Sequence, residues 1–271
     1  MSQDTPANEQ VLYERRGRVG LITLNRPQKL NAWTPTMEAT LVDILDRAAS
    51  DPQVGALLVT GAGRGFCAGA DITGWAGDRA ARGETTAPQP FLIARDGSPD
   101  VAMALSRSKP VIAAINGPAI GIGLTMPLAC DIRIASERAT FSARFVRVGL
   151  TPECGSSRYL PLVAGLGNAL YLALTGRIID AAEAKERGLV DRVVPHERLM
   201  EEALSLAEEI AANPMEAVWA AKRLLHDNAV EPDLRRVLVQ EGHALREVRR
   251  LPAHAEAARA FIEKRAPRFY E

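Results

Sequence analysis

The chain opens on two short β-rich apolar runs, Val11 to Tyr13 and Val19 to Leu24, separated by a segment containing Gly17. That pattern predicts a hairpin over residues 10–24. The spacing then changes. Met37, Leu41, Ile44, Leu45 and Ala48 recur at helical intervals behind Thr34-Pro35, which read as an N-cap and a first-turn proline. Three further apolar runs, Val54 to Thr60, Pro110 to Asn116 and Ile132 to Ala135, predict buried strands, joined by helices or loops as parallel pairing requires. Residues 74–98 have little periodicity and read as a lid-like loop. Beyond about residue 155 the texture turns helical. Ser156 to Leu174 predicts two short helices broken near Gly165-Leu166-Gly167, Asp180 to Arg187 a capped helix, and Leu189 to Val194 a strand. From His196 on, four helices fit between breaks at Pro214, Pro232 and Pro252. The fold class is α/β, with a core over 1–195 and a helical region over 196–271.

Composition narrows the function classes. The chain has 271 residues, 47% of them hydrophobic, which is enough for a sizeable core. Lys and Arg number 33, as do Asp and Glu, so the basic excess of a nucleic-acid binder is missing, and the 5% aromatic share argues against base-stacking platforms. The three cysteines, Cys67, Cys130 and Cys154, are too sparse for a disulfide framework and point to a reducing, cytoplasmic setting. No apolar run is long enough for a membrane span, and residues 1–10 do not read as a signal peptide.

Several common site motifs are missing: a Walker A loop, the dinucleotide glycine fingerprint, HExxH and GxSxG. All four histidines (His196, His226, His243 and His254) fall in the helical last third and read as packing or surface residues, so no metal is expected. Two glycine-rich turns directly follow buried strands: Gly61-Ala-Gly-Arg-Gly-Phe-Cys-Ala-Gly-Ala-Asp71 and Asn116-Gly-Pro-Ala-Ile-Gly-Ile-Gly-Leu-Thr125. Their backbone N–H groups could form an oxyanion hole, or the turns could be purely structural. Composition leaves both readings open. Cys67, within the first turn, and Cys154, beside Glu153, read as small packing residues.

The segment Gly65 to Ile72 resembles the signature of the crotonase (enoyl-CoA hydratase/isomerase) superfamily. So do Lys109 to Gly123 and Cys130-Asp-Ile-Arg-Ile-Ala135. Leu24 to Ala32, Leu174 to Val194 and Ala260 to Arg265 fit as well, in register. The resemblance implies a repeated ββα spiral with a helical C-terminal trimerisation region, assembled as a homotrimer or a dimer of trimers. It implies an acyl-CoA thioester as substrate and no separate cofactor. By motif position, the N–H groups of Ala70 and Ile122 hold the thioester oxygen, although many members carry glycine where this chain has Ile122. Ala68 and Ile72 would line the CoA path, and Phe261 and Lys264 match terminal positions that contact CoA. Arg26 and Lys29 are candidate phosphate partners. Asp71 is either a substrate contact or a cap for the helix expected after the first turn.

The acid–base positions depart from the hydratase pattern. Hydratases of the family carry two glutamates, and here those positions hold Thr125 and Phe145. Instead, Gly149-Leu-Thr-Pro-Glu-Cys-Gly-Ser-Ser157 resembles the segment in which Δ3,Δ2-enoyl-CoA isomerases carry a single glutamate, which falls on Glu153. Read locally, Thr151-Pro152-Glu153 is a helix start with a first-turn acid. The resemblance makes Glu153 the base of an isomerase. An atypical hydratase, an acyl-CoA hydrolase or dehalogenase, and a silent acyl-CoA-binding homologue are the alternatives.

Overall fold

Alternate residues of the central strands face two separate cores, and this decides the layering. In the computed structural model, which describes residues 5–72 and 101–270, six strands form one sheet in the order β1 (Val11–Arg16), β2 (Val19–Leu24), β3 (Ala56–Gly61), β4 (Val111–Ile115), β6 (Ile132–Ser136), β9 (Arg192–Val194). β1 and β2 form the expected antiparallel hairpin, and every other neighbour pair in this sheet is parallel. Leu57 and Val59 join the larger core, with Met37, Leu41, Ile44 and Leu45 of α1 (Pro35–Ser50). Ala56 and Leu58 face the opposite side, where α6 (Leu199–Ala211) lays Leu199, Ala203, Ala207 and Ala211 against them. Both faces of β3 and β4 are therefore covered, which is why these strands read as continuous apolar runs rather than alternating ones.

A second, three-stranded sheet runs β5 (Ala119–Ile120), β7 (Thr140–Ser142), β8 (Ile179–Asp180). Between β4 and β6 lie β5, the four-residue helix α3 (Ile122–Thr125) and a short 3-10 turn. The helix α2 (Val101–Arg107) precedes β4. Local signals act as the sequence suggests. The Thr34 hydroxyl caps α1 by accepting from Met37 N at 3.1 Å. α4 (Ser156–Thr175) kinks at Gly165, whose φ is +76°. Asp180 caps α5 (Ala181–Glu186) through Glu183 N at 2.8 Å. Four helices follow His196: α6, α7 (Met215–Asn228), α8 (Leu234–Val248) and α9 (Pro252–Glu263).

α7 is tied to the N-terminal ends of the parallel strands by a buried charge cluster. Lys222 Nζ lies 2.9 Å from Asp131 Oδ2 and donates to the carbonyl of Leu105 at 3.0 Å. His226 Nε2 is 2.8 Å from Asp131 Oδ1, and Val111 N donates to Asp131 Oδ2 at 2.7 Å. The segment 74–98, with its acidic residues Asp78 and Glu84, lies outside the described residues.

Candidate active site

The two glycine-rich turns leave adjacent parallel strands at their carboxyl ends and interlock there. Phe66 N and Cys67 N both donate to the carbonyl of Pro118, at 3.2 and 3.0 Å, and Ile120 N donates back to Cys67 O at 3.0 Å. Two buried asparagines hold the turns from below. Asn116 accepts from Gly61 N at 3.2 Å and donates to Gly63 O at 2.9 Å. Asn31 donates to Ala62 O and Gly65 O, at 3.0 and 2.8 Å. The glycines permit the approach. A Cβ on Gly123 would lie 2.8 Å from the carbonyl carbon of Cys67 and closer still to its oxygen. Gly121, at φ +56°, turns the chain into α3.

This packing sets the Gly69–Ala70 peptide beside Ile120–Ile122. A Cβ on Gly69 would be 3.3 Å from Ile120 O, and one on Gly121 3.8 Å from Gly69 Cα. Trp33 N donates to Gly69 O at 2.8 Å and Asp71 N to Trp33 O at 2.9 Å, so in this parallel bridge the N–H of Ala70 points away from Trp33. Ile122 opens α3, where an N–H has no intrahelical acceptor. Among the described residues neither N–H has a backbone acceptor in the chain. The even choice between structural turns and donors thus moves towards donors.

Glu153 comes to this place from another part of the chain. Thr125, the last residue of α3 and buried, donates its hydroxyl to Glu153 Oε1 at 2.6 Å. Burial pushes the Cys67 thiol up to about 12, and the nearby charge of Glu153 adds to the effect. The local reading of a helix starting at Thr151 is overturned. Cys154 and Gly155 both take positive φ, +53° and +67°, and delay the helix to Ser156. Ser156 spends its N–H and hydroxyl on the carbonyl of Glu153, at 2.9 and 2.6 Å, rather than on its carboxylate. A positive φ at a non-glycine residue costs about 1–3 kcal/mol, a cost typically met at functional positions. Phe145, at the second hydratase position, is buried in the larger core.

One expected ligand contact is corrected. Arg26 is 1% exposed, which is incompatible with a solvated phosphate partner. Its Nη1 donates to Ala32 O at 2.6 Å and its Nη2 to Asp71 Oδ2 at 2.9 Å. Asp71 accepts that contact and staples the end of the first turn to Arg26; the helix expected after the turn falls outside the described residues. Lys29 remains exposed. Ala68 is half-buried, with its N–H on Leu30 O at 3.0 Å, and Ile72 is exposed. Phe261 on α9 and Lys264 just beyond it are exposed. Sequence reasoning missed the asparagine brackets and the Arg26–Asp71 staple. The one available signal was Asn116 at the start of the second turn; Asn31 lies thirty residues before the turn it holds. Among the described residues no His, Cys, Asp or Glu group is arranged to hold a metal ion, and no helix is long and apolar enough to cross a membrane. His196 and His226 pair with Ser136 and Asp131 respectively, away from Glu153.

Comparison with known proteins bears on the family and the fold. The family described as "Enoyl-CoA hydratase/isomerase" matches residues 14–271. The chain is 38% identical over 251 residues to the 1,2-epoxyphenylacetyl-CoA isomerase of Escherichia coli, covering 92% of this chain and 93% of that one. It is 39% identical over 261 residues to a protein of Rhizobium meliloti named "Probable enoyl-CoA hydratase", with 96% and 98% covered. The crystal structure of an enoyl-CoA hydratase from Bacillus anthracis superposes with a TM-score of 0.84 at 34% identity, covering 96% of this chain and 98% of the other.

Proposed function

Because this chain belongs to the enoyl-CoA hydratase/isomerase family and shares its crotonase-type α/β fold, we propose that it moves the double bond of an enoyl-CoA thioester with Glu153 as its one acid–base group. The thioester oxygen accepts from the N–H groups of Ala70 and Ile122. Glu153 removes a proton from C2, and the electron pair delocalises onto that oxygen as a dienolate. The same carboxyl returns the proton to C4, so the base is regenerated and no water is consumed. Donors fixed before the reaction stabilise the developing charge without reorganising.

One observation carries this reading: Glu153 is held at 2.6 Å by Thr125, the residue standing where a hydratase has its first glutamate. Hydration must both activate a water and protonate the neighbouring carbon, work that falls to two acid–base groups. Phe145 cannot supply the second. The relatives named as hydratases motivate the competing reading, and the isomerase from Escherichia coli is in keeping with the first. The exposed Leu234, Leu238 and Leu245 on α8 are in keeping with a homotrimer or a dimer of trimers. A reducing cytoplasm suits the three free cysteines.

The test is a paired assay. A 3-enoyl-CoA is followed for appearance of the conjugated 2-enoyl thioester, and a 2-enoyl-CoA for loss by hydration. Glu153→Gln is expected to lose isomerisation by about 10²- to 10⁴-fold, the usual contribution of a positioned acid–base group. Hydration that exceeds isomerisation and survives Glu153→Gln would overturn the reading.

A further inference from the structure

We infer that Thr125 is a positioning residue: its hydroxyl fixes the Glu153 carboxylate relative to the oxyanion donors. This rests on Glu153 being the base and adds a residue that works through it. A buried hydroxyl needs a partner, and Thr125, 1% exposed, gives its proton to Glu153 Oε1 at 2.6 Å. That length falls in the short range of a hydroxyl donating to a charged oxygen.

The two partners differ in stiffness, and that gives the contact its direction. Glu153 sits in a loop, ahead of the start of α4, on a long side chain with several rotors. Thr125 is β-branched, so its χ1 is restricted. Its N–H is bonded to Gly121 O at 3.0 Å, within the turn that also presents Ile122. The stiff residue holds the flexible one. Fixing one carboxylate oxygen removes most of the rotational freedom of the other, so the base keeps one position relative to the hole. Twenty-eight residues of sequence separate the partners, yet the base and one oxyanion donor are referred to the same four residues of backbone.

A glutamate at position 125 would bring a second negative charge against Glu153. Threonine supplies a donor in nearly the same place. The residue that departs from the hydratase pattern is thus the one that makes room for, and orients, the remaining carboxylate.

The experiment compares Thr125→Val, Thr125→Ser, Glu153→Gln and Thr125→Val/Glu153→Gln as full-length proteins acting on a 3-enoyl-CoA. Valine keeps the shape and removes the hydroxyl, and is expected to lower kcat by about 10- to 100-fold, as misplacement of a catalytic group does. KM should stay within about twofold, and serine should recover most of kcat, because both interactions run through the carboxylate alone. The double variant should be no slower than Glu153→Gln alone. Wild-type kcat in Thr125→Val with an inactive Glu153→Gln overturns the role of Thr125 and leaves the base intact. So does equal loss in the valine and serine variants, or a loss confined to KM. An active Glu153→Gln overturns the base itself. Thermal melts of both threonine variants separate loss of folding from loss of positioning.

Discussion

Replacing Gly123 by alanine tests whether the two turns build the oxyanion hole. The new Cβ would meet the Cys67 carbonyl, lying 2.8 Å from its carbon and 2.9 Å from the Cys67 Cβ, where ordinary contact begins at 3.4 Å. The two Cys67 atoms nearest the new Cβ are backbone, so no flexible side chain can swing away to relieve the contact. Either the first turn or α3 must retreat, and a shift of about 1 Å at a catalytic group costs about 100-fold in rate. That agrees with the loss of about 10²- to 10³-fold when one oxyanion donor is removed. Overpacking should also cost about 1–3 kcal/mol of stability, a drop of several degrees in Tm. The assay is kcat and KM on a 3-enoyl-CoA beside a thermal melt. The control is Gly167→Ala, at an exposed position of α4, where a Cβ meets nothing within 4 Å. Gly123→Ala should lose kcat with far less change in KM, while the control keeps both. If Gly123→Ala remained folded with kcat within threefold of wild type, the interlocked turns would not be the donors.

The charge cluster under α7 makes the anchoring of the C-terminal helices pH-dependent. Burial pushes the Asp131 carboxyl up, but His226, Lys222 and the Val111 N–H outweigh it and hold the group below the ordinary carboxylate range. Its contribution is therefore complete above the unfolded value of about 3.9 and is lost as pH falls through the lower folded value. Wild-type Tm should fall below about pH 4 more steeply than that of Asp131→Asn, and parallel curves would refute the assignment. Lys222→Met leaves Asp131 short of a buried partner and should cost about 3 kcal/mol in denaturant unfolding at neutral pH; unchanged stability would sink this. Burial also pushes Cys67 and Cys130 up to about 12, and Cys154 is buried, so no thiol should titrate with an aromatic disulfide reagent until the protein unfolds. Rapid reaction of the native protein would contradict that burial.

Strands, hairpin and helix breaks were legible because each depends on neighbours in sequence. Thr34-Pro35 starts a helix, Gly165 kinks one, and the continuous apolar runs of β3 and β4 reflect burial on both faces. The same local logic failed at Thr151-Pro152-Glu153. A strong start signal lost to two left-handed residues, and the acid it would have placed in a first turn reaches across to Thr125 instead. The site's polar partners were illegible for a related reason. Arg26 and Asp71 are 45 residues apart, and nothing near Arg26 signals that it is buried. A lone arginine in a loop reads as solvated until the tertiary fold encloses it. The resemblance pointed to Ala70, Ile122 and Glu153, but not to the contacts around them.

The Arg26–Asp71 staple also couples two distant stretches of the chain. It closes the first turn one residue after Ala70, with the guanidinium further tied to Ala32. One buried ion pair thus holds the end of the first turn against a loop 45 residues earlier in the chain, so a substitution at either partner should loosen both segments together.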